Sequence, residues 1–168
     1  MRSWQALSAA AALILAAPGV AAAQTVTAQS PETLAAALKS SGYTVNSGTD
    51  DLGDPVLDLE MEGYKARLLF LDCDPASHDR CGSVQFFAAF DAEGPGLSAA
   101  DAILFARRYR YASVTVNANG DPVLRWDIET GEGIPATVFQ ASAARFLGTL
   151  RAMGAMLFPA APPVAPAG

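Results

Sequence analysis

Hydrophobic and polar residues alternate through residues 56–90, and this pattern predicts three consecutive β-strands. Because successive side chains of a strand point to opposite faces, one face of the predicted sheet is hydrophobic throughout. The other face begins charged and then becomes hydrophobic at Leu69, Leu71 and Phe87. We expect the first face to form the core. The second face is either a partner surface or is covered by the first helix.

Capping residues and hydrophobic spacing predict three helices beside these strands. The first helix begins after Ser30, with proline at its first position, and ends at Gly42. The second begins after Ser98, with Asp101 in the capping-box position. The third extends over about residues 137–157, where hydrophobic residues recur at helical spacing. On the second helix we expect a buried side formed by Ile103, Leu104, Ala106 and Tyr109.

Further strands complete the predicted fold. A short strand at residues 43–45 follows the first helix, and a polar loop occupies residues 46–53. After the second helix, residues 114–116 and 123–129 form a hairpin around Asn119-Gly120, a strong turn signal. The order of elements, α-ββββ-α-ββ-α, predicts a single α+β domain with a mostly antiparallel sheet of about six strands flanked by helices.

The motif Gly-Asp-Pro-Val-Leu occurs twice, at residues 53–57 and 120–124. We interpret the repeat as turn chemistry, because Gly-Asp-Pro favours a loop and Val-Leu then opens a strand. A duplicated structural unit is the alternative interpretation.

Composition divides the chain into four segments. Residues 1–23 have the positive start, uncharged hydrophobic run and small final residues that are typical of a cleaved signal peptide. Residues 24–29 are a short polar lead-in, residues 30–158 form the folded domain, and residues 159–168 are predicted to be a disordered Pro- and Ala-rich tail. We expect a periplasmic or secreted protein without a membrane span, because the hydrophobic run is shorter than the ~20 residues that cross a bilayer.

The charge balance limits the kinds of partner. The chain has 11 basic and 17 acidic side chains, a net charge of −6 at pH 7, and loss of Arg2 with the leader makes it one unit more negative. We therefore expect no nucleic-acid partner, because phosphate backbones bind clustered Lys and Arg. The one basic cluster is Arg107, Arg108 and Arg110 at the predicted end of the second helix. The helix dipole favours cations there, and a docking patch for an acidic peptide or a phospholipid headgroup is the alternative.

Cys73 and Cys81 are the only two cysteines, and they bracket a polar loop. In an oxidising compartment such a pair favours a disulfide, which contributes about 2.6 kcal/mol for a loop of this length in the chain-entropy model. Metal binding is an alternative, because His78 and three aspartates lie beside the two thiols and thiolates with imidazole suit zinc. Free thiols are the third interpretation.

The sequence offers no catalytic constellation. Nucleophilic catalysis by a triad usually requires a histidine base, and the only histidine is His78, inside the cysteine loop. We interpret it as a solvated loop residue. Asp58 and Glu60 face Lys65 and Arg67, so that these carboxylates are interpreted as members of ion pairs on a solvated face. We therefore predict no catalytic residues, no metal site and no cofactor.

Short motifs follow one another in a defined order along most of the chain, from Gly-Tyr-x-Val after the first helix to Gly-Asp-Pro-x-Leu-x-x-Asp before the last. The matching residues are Gly42, Tyr43, Val45, Gly53, Asp54, Pro55, Leu57, Cys73, Cys81, Gln85, Phe86, Arg107, Gly120, Asp121, Leu124, Asp127 and Gly133. In this order the motifs resemble the YbjN-like family of bacterial sensory transduction regulators, over roughly residues 30–158. The family usually carries an Asn-x-Trp-Asn-like patch on the middle helix, where this chain has Ala99-Ala100-Asp101-Ala102.

The resemblance implies the α+β fold of type III secretion chaperones and protein binding without catalysis. We expect an exported, non-enzymatic binding or regulatory domain that recognises a protein or peptide in the cell envelope, with a second copy of the chain as another partner to consider. The candidate partner surface comprises Leu69, Leu71, Phe87, Arg107, Arg108 and Arg110. Two alternatives are a small metal-binding or hydrolytic protein that uses residues 72–81, and a structural envelope protein tethered by its tail.

Overall fold

The computed structural model describes residues 24–92 and 96–158, and within these ranges the chain forms three helices and eight strands. In chain order the elements are β1 (Thr25–Val26), α1 (Pro31–Ser40), β2 (Thr44–Thr49), β3 (Pro55–Met61), β4 (Tyr64–Leu71), β5 (Ser83–Ala89), α2 (Ala99–Arg108), β6 (Ser113–Val116), β7 (Pro122–Glu129), β8 (Ile134–Pro135) and α3 (Ala136–Leu157). The predicted α+β class with a six-stranded antiparallel sheet is confirmed, and a sheet of two strands accompanies it.

The main sheet has the strand order β2-β3-β4-β5-β7-β6. Its register places hydrophobic residues opposite one another on one face: Leu57 pairs with Leu68, Leu68 with Phe86, and Phe86 with Trp126. All four side chains are buried. Because a shift of one residue would turn this row towards solvent, the alternation of the sequence excludes any register that is shifted by one residue.

All three described helices pack on this hydrophobic face. The rings of Phe139 and Phe146 on α3 stack on Phe86, with centroid distances of 5.7 and 5.0 Å. α1 lies beside α3, where the Gln140 side-chain amide donates a hydrogen bond to the Ala37 carbonyl oxygen at 3.1 Å. α2 contributes Phe105 to the same hydrophobic cluster. The main sheet is therefore covered by helices on one side.

The predicted capping residues act at two helix ends and not at a third. Gly42 has a φ of +86° and follows the last residues of α1, as a left-handed terminator does. At the start of α2, the Asp101 N–H donates to Ser98 Oγ at 3.1 Å, and the Ser98 hydroxyl donates to the Asp101 carboxylate at 2.6 Å. The predicted cap by Ser30 is wrong, because its side chain makes no capping hydrogen bond. Its carbonyl oxygen instead accepts a bond from the Thr33 hydroxyl at 2.7 Å.

The side that α2 turns to the core differs from the prediction. Ala102 and Phe105 are its buried residues, whereas Ile103 and Leu104 are 63% and 60% exposed. Tyr109 is partly buried and stacks on Phe105 with a centroid distance of 4.3 Å. The prediction was wrong for Ile103 and Leu104 because hydrophobic residues lie on adjacent stripes of this helix, and spacing alone fits either stripe.

Two segments predicted to be irregular are strands. In the lead-in, β1 pairs with β8 through Val26 and Ile134, and Val26 and Ala28 are buried. The Ala28 N–H donates a hydrogen bond to Thr130 Oγ at 2.9 Å. β2 extends to Thr49, so that the first half of the predicted polar loop is an exposed strand at the edge of the main sheet. A strand of two residues, or one exposed on both faces, shows no hydrophobic alternation.

The repeated motif follows the same turn at both positions. In residues 50–54 and 117–121, an oxygen of the first side chain accepts N–H bonds from the second and fourth following residues, at 2.8–3.0 Å. The fourth residue of each turn is a glycine, with φ of +98° at Gly53 and +88° at Gly120. This geometry agrees with the interpretation as turn chemistry, because Asx turns use a side-chain oxygen in this way.

The signal peptide predicted at residues 1–23 and the tail predicted at residues 159–168 lie outside the described residues. Both assignments therefore stay predictions. Within residues 24–92 and 96–158, no helix has the length and hydrophobicity needed to cross a bilayer.

Candidate functional site

The face of the main sheet opposite the helices, here called the open face, is a candidate partner surface. One cross-strand row on it runs from Asp58 through Arg67 and Phe87 to Arg125. The Arg67 Nε–H donates to Asp58 Oδ1 at 2.8 Å, and the Arg125 guanidinium lies 5.4 Å from the centre of the Phe87 ring. The row therefore joins an ion pair to a cation–π pair across four strands.

A cleft of about 380 Å³ opens in the open face between β3, β4 and β5. Its lining residues are Asp58, Leu59, Lys65, Ala66, Arg67, Phe87, Ala88 and Ala89. Because Leu59, Ala66 and Ala88 are buried in the core, the side chains that face the cleft are one carboxylate, two cations, the Phe87 ring and Ala89. Such a lining suits a ligand that has both charged and hydrophobic parts, as a peptide does.

The three hydrophobic residues predicted on this face do lie there, and each is partly exposed. Leu69 is opposite Val56 of β3, Leu71 follows two residues later on β4, and Phe87 lines the cleft. The alternative that the first helix covers these residues is wrong, because α1 packs beside α3 on the other side of the sheet. These side chains are thus available at the surface to a partner.

The loop between β4 and β5 is closed by a disulfide between Cys73 and Cys81. Inside this loop, His78 Nδ1 lies 2.8 Å from Asp54 Oδ1, which belongs to the turn between β2 and β3. Gly53 makes room for the imidazole, since a Cβ at this position would lie 3.3 Å from the ring. His78 therefore attaches the disulfide loop to the neighbouring turn, a contact that the interpretation as a solvated residue missed.

The Asp74 carboxylate holds the first part of the same loop together. The backbone N–H groups of Ala76 and Ser77 donate to it at 2.9 and 3.2 Å, and the Arg80 guanidinium also contacts it. These hydrogen bonds, with Ala76 the largest cause, hold the Asp74 pKa below its usual value of 3.8. The carboxylate is thus engaged by its own loop.

Residues 72–81 do not contain the set of ligands that the metal-binding alternative requires. Both sulfur atoms are joined in the disulfide, so that thiolate ligands are not present. Throughout the described ranges, no three His, Cys, Asp or Glu side chains are grouped so that they could hold a metal ion.

The basic part of the predicted partner surface lies on the helix side. Arg107 and Arg108 end α2, and Arg110 follows. Arg108 and Arg110 line a groove between α2 and α3, together with Arg145 of α3. The predicted hydrophobic and basic residues therefore belong to two separate surfaces. Sequence reasoning missed Arg145, because only the packing of α3 beside α2 brings it to the other two arginines.

A comparison with protein families assigns the chain to one of them. The model of the YbjN family, described as a putative bacterial sensory transduction regulator, matches residues 30–161. This match spans well over half of the chain. The chain belongs to the YbjN family. A search of curated proteins found no match.

Several residues that underlie the YbjN resemblance lie at the two surfaces and at the turns. Gln85 and Asp127 are neighbours on the open face, where the Gln85 side-chain amide donates to an Asp127 carboxylate oxygen at 2.6 Å. Asp54 Oδ1 lies within hydrogen-bond distance of His78 Nδ1 of the disulfide loop. The Asp121 carboxylate accepts a hydrogen bond from the Ala92 N–H at 3.0 Å. The matching residues thus include a pair on the open face as well as the turns that support the sheet.

Proposed function

We propose that this YbjN-family protein is an exported, non-enzymatic regulatory domain that binds a protein or peptide partner through the open face of its main sheet. The observation that carries the proposal is the mixed cleft of that face, in which Phe87 lies beside Arg67 and shares the lining with Asp58 and Lys65, on the side of the sheet away from the described helices. The family description as a sensory transduction regulator supports a regulatory role.

The size of the open face fits recognition of a peptide or a small domain. Six strands spaced at about 4.8 Å give a width of about 24 Å, and strands of about six residues give a length of about 20 Å. The area of the open face is therefore at the low end of the range for specific protein interfaces, which typically bury about 800 Å² on each partner. We therefore expect a modest, reversible affinity, as is common for regulatory interactions.

Export is the second part of the proposal. The leader-like composition of residues 1–23 supports it, and so does the disulfide, because such bonds persist in oxidising compartments. Cell fractionation followed by mass spectrometry of the unreduced protein tests it. We expect a periplasmic or secreted chain that has lost the leader and is two hydrogen atoms lighter than its dithiol form. A full-length cytosolic chain with both thiols free contradicts this part.

Site-specific photocrosslinking in the native organism tests the partner surface. A photoreactive amino acid replaces Ala89, which is exposed beside the cleft, and in a matched control it replaces Ala36, which is exposed on α1. We expect one discrete crosslinked protein from position 89, and its loss when Phe87→Ala is added. Absence of a product at position 89, or the same products from both positions, contradicts binding by the open face.

A further inference from the structure

Three depressions adjoin one another between α2 and α3, on the side of the sheet opposite the open face. The first, of about 380 Å³, is largely hydrophobic and includes Leu104 and Met156. It shares Arg108 and Tyr109 with the second, of about 470 Å³. The second shares Arg110, Tyr111, Trp126 and Arg145 with the third, also of about 470 Å³. Because neighbouring depressions share lining residues, they are treated as one site, here called the helix groove.

Of the eight arginines in the described ranges, three are paired with carboxylates and five, among them those of the helix groove, are not. Arg67, Arg80 and Arg151 each form a salt bridge with a carboxylate. Within the described ranges, neither Arg108 nor Arg145 has a carboxylate oxygen within 4 Å. In a chain of net charge −6, these cations are concentrated at a concave site without acidic partners.

The two acidic residues that line the groove are engaged elsewhere. Asp101, at the end beside Leu104, accepts the Ser98 hydroxyl at 2.6 Å, and at the other end the Asp127 side chain is turned to the open face, where it accepts the Gln85 amide at 2.6 Å. Neither carboxylate lies within 4 Å of a groove arginine. The middle depression is lined by three arginines and no carboxylate, and this excess of positive charge favours an anionic ligand.

Tyr111 occupies an unfavourable backbone conformation that places its ring in the groove. Its φ of +71° lies in the left-handed region, which a bulky residue rarely adopts. In this conformation the ring lies 5.3 Å from the Trp126 ring and is 65% exposed, with the Arg110 guanidinium 4.9 Å from its centre. The surrounding structure thus maintains an exposed aromatic and cationic wall, as ligand-binding sites do.

We propose that the helix groove is a second binding site and that its ligand is an acidic peptide segment with a hydrophobic residue. Guanidinium groups bind carboxylates in bidentate geometry, so that Arg108, Arg110 and Arg145 fit successive Glu or Asp side chains. Leu104 and Met156, which are 60% and 44% exposed, offer contacts for the hydrophobic residue. The concave shape favours a peptide over a flat anionic bilayer, because a groove can enclose a single extended or helical chain.

Trp126 provides a direct readout. The chain contains two tryptophans, Trp4 and Trp126, so that a Trp4→Phe substitution in the full chain leaves Trp126 as the only one. The titrants are a synthetic peptide of four glutamates around a leucine, the same peptide with glutamines, and vesicles of phosphatidylglycerol. We expect saturable quenching or a spectral shift with the glutamate peptide, weakened by added salt, and no saturation with the other two titrants.

Two charge-matched double variants test whether the glutamate peptide binds in the helix groove. Arg108→Gln with Arg145→Gln removes two groove cations and should lower the affinity for the glutamate peptide at least tenfold. Arg107→Gln with Lys39→Gln removes the same charge outside the lining residues and away from the open face, and should lower it less than threefold. Equal losses in both pairs, no binding of the glutamate peptide by the parent chain, or saturable binding of vesicles alone each overturn the proposal. These results do not depend on the open face, since the peptide titration is independent of crosslinking at Ala89.

Discussion

Phe86 and Phe87 are neighbours on β5 and have opposite surroundings. Phe86 is fully buried and stacks between Phe139 and Phe146 of α3, whereas Phe87 is partly exposed on the open face beside Arg125. The same residue type thus contributes to the core at one position and to a candidate partner surface at the next. Burial against α3 therefore makes Phe86 important for stability, whereas Phe87, on the other face of the sheet, is available for binding.

The largest expected effect separates these two residues directly. Phe86→Ala leaves a cavity under α3 and should lower the free energy of unfolding by about 3–5 kcal/mol. Phe87→Ala, its matched control, should lower it by only about 1–2 kcal/mol, because the ring is partly exposed and packs under no helix. Urea denaturation of both variants measures the two values. Similar losses would mean that the open face is covered in solution.

The two cysteines of the disulfide also differ in their exposure to solvent. Cys81 is 1% exposed and belongs to the core cluster, whereas Cys73 is partly exposed at its edge. Either Cys→Ser substitution removes the cross-link and should cost about 2–3 kcal/mol. Cys81→Ser should cost about 1 kcal/mol more, because it also places a hydroxyl in the core. Urea denaturation with and without a reductant checks this ranking. Reduction should destabilise the parent chain and leave both variants unchanged.

Two glycines of α3 provide the third test, on the covered side of the sheet. A Cβ on Gly154 would lie 2.7 Å from the Tyr64 hydroxyl oxygen, whereas a Cβ on Gly148 meets nothing within 4 Å. Alanine favours a helix by about 1 kcal/mol over glycine, and overpacking costs about 1–3 kcal/mol. Gly148→Ala should therefore raise the melting temperature and Gly154→Ala should lower it. If Gly154→Ala also raises the melting temperature, α3 packs less closely on Tyr64 than the 2.7 Å distance indicates.

On the open face, the ion pair between Arg67 and Asp58 should matter little for stability. Both side chains are about half exposed, and such pairs contribute about 0–1 kcal/mol. Asp58→Asn should accordingly change the free energy of unfolding by less than about 1 kcal/mol, with the change vanishing at 1 M salt. If the open face binds a partner, the same variant should alter the salt dependence of that binding, as measured by titration.

The smallest effect concerns the second Gly-Asp-Pro turn and its dependence on pH. The Ala92 N–H, followed by the Asn117 side chain, holds the Asp121 pKa below its usual value of 3.8. Because the unfolded chain takes up this proton first, the contribution to stability is complete above pH 3.8 and is lost as the pH falls through the folded value. In Asp121→Asn, the melting temperature should therefore fall less steeply between pH 5 and pH 2 than in the parent chain. Thermal melting at several pH values measures this slope. An unchanged slope would show that these bonds are absent in solution.

Local signals were sufficient for the central strands and for several turns. The alternation in β3, β4 and β5 predicted which residues share a face, and Ser98 with Asp101 predicted the start of α2. The same reasoning failed for Leu104, because two adjacent stripes of α2 are hydrophobic and only its packing selects Phe105 for the core. It also failed for β1, whose two residues are held by a partner strand distant in the chain.

The sequence by itself determined the α+β class, the residues that share a face of the central strands and the left-handed turn at Gly42, because side-chain alternation and glycine conformation act over a few neighbouring residues. Only the tertiary structure decided that all three described helices lie on one face, that His78 meets Asp54, and that Arg145 joins Arg108 and Arg110 in one groove. These contacts join residues far apart in the chain, and they depend on how whole elements pack, which no short-range pattern encodes.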